Sequence, residues 1–561
     1  MPIKFLVLAG VILIFLNGCM LATNDANREV LKAQADAQQN QINAQLHQNQ
    51  NALEHQHSLR KQIEAWRAGY PAEIKGARVH YPEKLALFYE QRQFKAFWLN
   101  HEKMTVAGQS LINSIASISS EGLLSKDYHG DLLNKLEALT PEEQEILLTD
   151  AFLTLSSHLK FGKVNAETIA TDWKQKKKQV DTLPLLDNIE VSESIENVLN
   201  TLRPVSARYF RLINAYDRLL PHADLFTESL SLTPAIKKGQ LDSRIPEIRR
   251  RLAFWGDAQT DADAAKESTK YDESLFIAMQ KFQARHGLDK DGVIGKETLS
   301  ALNVSVSQRL KDLAVNMERW RWLEDMGQRF AVVNIANFDL RIYQDNEVVF
   351  QKPVIVGRNY RKTPVFSDRI RYLVLNPTWT VPQKLALEDK LPEIKKDPDY
   401  LNRLGFTLYQ SGTSNIIDPA TVDWTNYTKQ FPFRMVQSPG PMNALGQVKF
   451  MFPNQYDVYL HDTPSRELFS QTQRAFSSGC IRVSDPIELA EFLLKDQGWT
   501  RHRIDEVLAS RVTETVHLKT PMPIHLEYWT AWVEREGTLN FRNDIYERNA
   551  ALWKALQQPL N

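Results

Sequence analysis

At 561 residues the chain is too long for one hydrophobic core and implies two to four domains. Its 43% hydrophobic and 24% charged residues are those of an ordinary globular protein. Lys+Arg and Asp+Glu both number 68, and a net charge of zero argues against nucleic acid or any other strongly charged polymer as partner.

Met1 to Lys4 is a short, weakly positive start, and Phe5 to Leu16 is an apolar run too short to span a bilayer comfortably. Residues 1–18 read as a signal peptide, or as a plain uncleaved anchor. Leu16-Asn17-Gly18-Cys19 resembles the bacterial lipobox, although Asn17 is unusual in it, and the resemblance implies a lipid on Cys19. Met20 after that cysteine favours the outer membrane, which makes the expected location the periplasm, on a lipid anchor.

Residues 19–75 are rich in Gln, Asn and Ala, with few apolar positions, and read as a tether. Fully helical, its stretch from 20 to about 65 reaches roughly 70 Å. Helical periodicity follows over 76–235, with Leu85, Phe88 and Tyr89 on one stretch, Leu111, Ile112 and Ile115 on another, and Thr140 capping a helix that starts at Pro141-Glu142-Glu143. This is an all-helical scaffold. Residues 236–306 signal three short helices, ended at Gly256 and Gly287 and linked by an Asp291-Gly292 turn. Lys281-Phe282-Gln283-Ala284-Arg285-His286-Gly287-Leu288 and Asp291-Gly292-Val293-Ile294-Gly295 closely resemble the peptidoglycan-binding module.

Over 307–512 the period changes to two. Ala331, Val333 and Ile335 alternate with other residues, as do Leu340 and Ile342, and Asp345-Asn346 offers a hairpin turn. Further strands are signalled at Arg371–Leu375, Lys449–Phe452 and Asp457–Leu460. Between about 383 and 430 the alternation stops, and a helical and irregular insertion of that length suggests a lid. Residues 513–561 read as an aromatic-rich extension packed back on this domain. The fold class is multidomain α+β.

The chemistry concentrates near residue 480. His461 ends a strand signal, and Thr463-Pro464 starts an expected helix that returns the chain to Ser477-Ser478-Gly479-Cys480-Ile481-Arg482. Asp485 with Glu488 suggests a capping box for the next helix. Cys480 thus sits on a turn where a thiol is presented to a groove, and an adjacent imidazole takes its proton and stabilises the anion. Gly479 permits close approach, and N–H groups near it and Ser478 suit a tetrahedral oxyanion. Tyr459 shares a strand face with His461, and Arg482, two residues beyond Cys480, suits a substrate carboxylate. The backbone around Asp462 is the group expected to orient His461. Neither a His-Glu-x-x-His helix nor a Cys-x-x-Cys pair occurs, and His158, His286 and His517 lack ligand spacing, so no metal and no cofactor is expected.

His461, 15 intervening residues and Ser477-Ser478-Gly479-Cys480-Ile481-Arg482 resemble the L,D-transpeptidase signature, with Ser478 where many members have His. Gly122-Leu123-Leu124, Asp127-Tyr128-His129, Glu318-Arg319-Trp320-Arg321-Trp322 and Tyr528-Trp529-Thr530-Ala531-Trp532 fit the larger branch with a scaffold and a lid. The resemblance implies Cys480 as nucleophile, His461 as general base and peptidoglycan tetrapeptide stems as donor and acceptor in 3→3 cross-linking. It also implies carbapenem sensitivity. Two readings compete: the same thioester passed to water, as in an L,D-carboxypeptidase or a hydrolase releasing wall-linked proteins, and a non-catalytic wall-binding lipoprotein.

Overall fold

The computed structural model describes residues 25–100, 103–169, 173, 181–192, 194–258, 268–397 and 399–560. The signal segment and Cys19 lie outside the described residues. The chain forms two compact units, and the helical region expected over 76–235 is divided between them. The first comprises the chain to Ser117 with Ser125–Ser156 and Asp181–Asn200, and the second comprises Ile118–Leu124, Ser157–Val180 and Thr201–Asn561.

In the first unit the Gln/Asn-rich stretch is one long helix, α1 (Asp25–Arg67), exposed along most of its length. Only its C-terminal part reaches a core, through Leu59, Ile63 and Trp66. Helices α2 (Pro82–Gln91), α3 (Val106–Ser117), α4 (Pro141–Phe161), α5 (Leu185–Ser192) and α6 (Ile195–Leu202) follow. A capping box opens α4 as its sequence suggests: the Thr140 N–H donates to Glu143 Oε2 at 2.9 Å, and the Glu143 N–H to Thr140 Oγ1 at 3.4 Å. One turn on, buried Glu145 accepts the backbone N–H groups of Phe97, Trp98 and Leu99, which pins that segment to the helix.

The second unit holds α7 (Ala207–Leu219) and then the three-helix module α8 (Ile245–Phe254), α9 (Glu273–Arg285) and α10 (Lys296–Leu302), closed around Ile248, Leu252, Phe282 and Leu299. Gly256 and Gly287 end their helices at φ +77° and +65°. The module is fastened at the end of α9. Arg285 pairs with buried Asp257 and reaches the Leu539 carbonyl, while Arg542 donates to the Arg285 carbonyl and to Asn337 Oδ1. Next comes α11 (Val306–Arg321), whose aromatic and basic motif meets the C-terminal one. Trp320 stacks on Trp529 with centroids 4.6 Å apart, and Asn316 Nδ2 donates to Thr530 Oγ1 at 2.9 Å. These motifs are a buried joint.

The sheet contains β1 (Arg329–Asn334), β2 (Asp339–Gln344), β3 (Glu347–Gly357), β4 (Phe366–Leu375), β9 (Val448–Met451), β10 (Leu460–His461), β11 (Ala475–Ser477), β12 (Ile481–Val483) and β13 (Glu514–Glu527). Their order is β11-β3-β12-β10-β9-β4-β13-β1-β2, and β3 also pairs with β2, which closes the sheet on itself. Asp345 and Asn346 turn the β2–β3 hairpin at φ +51° and +67°, as their sequence suggests. Helices α12 (Pro486–Leu494) and α13 (Arg501–Ser510) follow β12, and α14 (Asn549–Gln557) comes last.

Four expectations are corrected. The insertion is more than helix and loop: β5 (Trp379–Thr380), β6 (Phe406–Gln410), β7 (Ile416–Ile417) and β8 (Phe433–Gln437) form a second sheet, and with a helical run over 383–396 they enclose a separate core around Leu391, Ile394, Phe406 and Met435. Residues from 513 are no mere extension, because β13 is an interior strand paired with both β4 and β1. Pro521 and Pro523 mask its alternation in the sequence. Thr463-Pro464 opens only a turn, followed by a short 3₁₀ segment at Arg466–Ser470. Asp485 sits at φ +47° and makes no side-chain cap; it and Glu488 instead bind Lys352.

Candidate active site

Strands β10 and β12 lie side by side in parallel, with Leu460 opposite Ile481 and His461 opposite Arg482. Leu460, Ile481 and Val483 belong to the core. Strand alternation therefore sets Tyr459, His461, Cys480 and Arg482 together on the other face. The Tyr459 and His461 rings meet edge-on with centroids 5.7 Å apart, and the Cys480 thiol donates to the Asp457 carbonyl at 3.5 Å.

The turn before the cysteine is fixed from several sides. The Ser477 hydroxyl donates to the Cys480 carbonyl at 2.5 Å and accepts the Gly479 N–H at 3.1 Å. Thr363 Oγ1 donates to the Gly479 carbonyl at 2.8 Å, and the Tyr546 hydroxyl accepts the Thr363 N–H and donates to the Gly357 carbonyl. Gly479 has φ +120°, and a Cβ there would meet nothing closer than the Lys362 carbonyl at 4.0 Å, so that side is open to a ligand. Its N–H is engaged. The Cys480 N–H, by contrast, has no acceptor among the described residues.

His461 is buried and its Nδ1 lies 2.5 Å from the Asp462 carbonyl, the orienting group expected there. That carbonyl takes an Nδ1–H, which leaves Nε2 as the ring's acceptor. Asp462 is itself held, since its carboxylate accepts the Gln447 N–H at 2.8 Å. Burial, with Arg482 and Lys449 nearby, pushes His461 down to about 3, and burial pushes Cys480 up to about 11. Both shifts favour the neutral thiol and the neutral imidazole over the ion pair. The Tyr459 phenol is also held neutral, by burial first and then by the neighbouring thiol.

Three cations surround this face. Arg482 Nε is buried without a hydrogen-bond partner, Lys449 lies opposite His461 across the β9–β10 pairing, and the Arg358 guanidinium donates to the Tyr360 hydroxyl. Among the described residues none of the three is ion-paired to a carboxylate. Lys449 and Arg358 escape sequence reading because isolated basic residues carry no spacing signal. Arg361 escapes for the same reason. Its guanidinium donates to Ser478 Oγ at 3.0 Å and binds Asp389 and Glu388 of the insertion at 2.6–2.8 Å, joining lid to nucleophile turn. Ser478 is thus tied to the lid as well as adjacent to Cys480.

Residues 328–521 match the model of the L,D-transpeptidase catalytic domain, in the part of the chain that carries this face. This part of the chain is an L,D-transpeptidase catalytic domain. Residues 83–215 match a model described as "Scaffold domain", and 242–302 one described as "Putative peptidoglycan binding domain". A Haemophilus influenzae protein named "Putative L,D-transpeptidase" is 40% identical over 234 residues, which are 42% of this chain and 47% of that protein. The chain spans about half the length of that relative. Among solved structures, an L,D-transpeptidase from Mycobacterium smegmatis is 13% identical at TM-score 0.19, covering 36% of this chain and 58% of its own. Another from Stackebrandtia nassauensis is 14% identical at TM-score 0.22, covering 53% and 97%. The transpeptidase domain ends, by strand pairing, no earlier than Glu527, because β13 is one of its interior strands.

Proposed function

We propose that this L,D-transpeptidase forms 3→3 cross-links in peptidoglycan through a thioester on Cys480. The observation that carries this reading is the alignment of Tyr459, His461, Cys480 and Arg482 along one face, with His461 Nδ1 committed to the Asp462 carbonyl. The Cys480 thiol gives its proton to His461 Nε2 as sulfur attacks the carbonyl carbon of the third residue of a tetrapeptide stem. The oxyanion forms against the free Cys480 N–H and the neutral Tyr459 hydroxyl. The C–N bond then breaks, and His461 returns the proton to the departing D-alanine amine. A side-chain amine of a second stem attacks the thioester, its proton passes to His461, the C–S bond breaks and the thiol is restored. Arg482, Arg358 and Lys449 offer positive charge to the stem carboxylates. Neutrality at rest suits both groups to this chemistry, since the base is unprotonated and the thiol still holds the proton to be moved.

The protein acts, in this reading, in the periplasm on a lipid at Cys19. Helix α1, with 43 residues at 1.5 Å each, spans about 65 Å of the approach to the wall. No helix among the described residues is long and apolar enough to cross a membrane.

Intact-protein mass spectrometry with a carbapenem, then with tetrapeptide muropeptides, tests this. A covalent adduct in the wild type, absent from Cys480→Ala and greatly slowed in His461→Ala, is the expected result, together with 3→3 dimers. An adduct with tripeptide as sole product would mean that water is the acceptor. Folded protein with neither adduct nor turnover would leave a wall-binding protein.

A further inference from the structure

Away from the catalytic face, in the first unit, the fold gathers two imidazoles and a carboxylate from three separate segments. His80 precedes α2, His129 follows a 3₁₀ turn at Ser125–Tyr128, and Asp150 lies in α4. Ligand atoms of all three lie within 4.8 Å of one another. His129 Nε2 is 2.8 Å from Asp150 Oδ2, and both side chains are buried. The other carboxylate oxygen, Oδ1, accepts the backbone N–H groups of His80 and Tyr81 at 2.9 and 2.8 Å. Those two bonds orient the carboxylate and keep Oδ2 turned toward the imidazoles, as outer hydrogen bonds orient metal ligands.

A His129–Asp150 hydrogen bond explains two of the three residues and leaves His80 unexplained. The His80 ring is half-buried and near-parallel to that of His129, with centroids 5.7 Å apart and planes at 17°. Among the described residues neither of its ring nitrogens has a hydrogen-bond partner. A divalent cation shared by the three groups would give that ring a partner. We propose that His80, His129 and Asp150 bind one zinc-class divalent cation, with water in the fourth position. Two neutral imidazoles and one carboxylate oxygen are a donor set that borderline cations such as Zn²⁺ accept in tetrahedral geometry. His129 frees Nε2 by holding its proton on Nδ1 instead, so the binding step consumes no oxidant or other reactant. His80 also lines a groove with Glu73 and Arg78, which gives the cation an entry path and the fourth position room. The bound cation would staple the three segments of this unit together. This site is independent of the cross-linking reaction.

The test uses the full chain carrying Cys480→Ala, which removes the competing thiol of the catalytic face, after stripping with chelator. Zn²⁺ alone is titrated against a chromophoric competitor, and Co²⁺ is added separately to read ligand field and X-ray absorption. One equivalent of Zn²⁺ is expected, with a raised melting temperature and a tetrahedral Co²⁺ spectrum showing two imidazoles. His80→Ala keeps the backbone N–H that Asp150 uses, so the protein folds but binds about a hundredfold more weakly or not at all. Absence of stoichiometric binding, equal affinity in His80→Ala, or fewer than two imidazoles around Co²⁺ would overturn the proposal.

Discussion

A thiol at about 11 beside an imidazole at about 3 makes Cys480 a reluctant nucleophile until substrate arrives. Alkylation by iodoacetamide reads the thiolate alone. Its rate should climb about tenfold per pH unit above 7 and level only near 11, whereas an ordinary cysteine levels near its own pKa of about 8.5. A plateau already present at pH 6 would mean a thiolate–imidazolium pair and would contradict the neutral resting state. His461 stays neutral from about pH 3 upward, so acylation should show no acid limb at the usual histidine value of about 6.5. The base also depends on a neighbour that sequence does not advertise. Gly446 has φ +61°, and a Cβ there would stand 2.3 Å from the Asp462 side chain whose backbone carbonyl holds His461. Gly446→Ala should cost about 1–3 kcal/mol of stability and slow carbapenem acylation more than the lost stability would explain. Unchanged acylation would show that the Asp462 carbonyl does not set the imidazole.

At the scale of elements, the lid is a small domain with its own sheet and core, tied to the nucleophile turn by Arg361. Charge-assisted bonds are worth about 1.5–3 kcal/mol when enclosed, but both lid carboxylates are more than a third exposed, so the lower end applies. Arg361→Ala should raise the open population about tenfold, read as faster proteolysis of the exposed loop near 411–420 and a changed KM for muropeptide donors. Unaltered cleavage would mean that Tyr459, which packs against both the lid core and the catalytic core, holds the lid alone. The sequence makes some of these elements plain and hides others for physical reasons. The α4 capping box, the Asp345-Asn346 hairpin and the module glycines follow from local chemistry, and they appear where that chemistry puts them. The lid strands are two to five residues long and pair only with one another, so their alternation is too brief to register. Asp485 and Glu488 have the spacing of a cap, but Lys352 from another strand claims both carboxylates. Cys480 and His461 are legible through their motif, whereas Lys449, Arg358 and Arg361 act through neighbours that only folding supplies.

Across the second unit, the three-helix module and the catalytic sheet share a polar joint. Arg542 bridges Arg285 and Asn337, and a Cβ on Gly287 would strike its side chain at 2.5 Å. Arg542→Ala should uncouple the two, so that calorimetry resolves a separate, earlier transition for residues 236–306; a single unshifted transition would show that the apolar contacts around Phe541 suffice. The same region carries a further consequence. Strand β13 lies between β4 and β1, and Tyr546 braces the loop that holds Gly479. In chain order these residues follow Cys480 and His461. The sheet cannot close, nor the cysteine turn set, until synthesis has passed Tyr546, so a copy terminated before β13 is born inert.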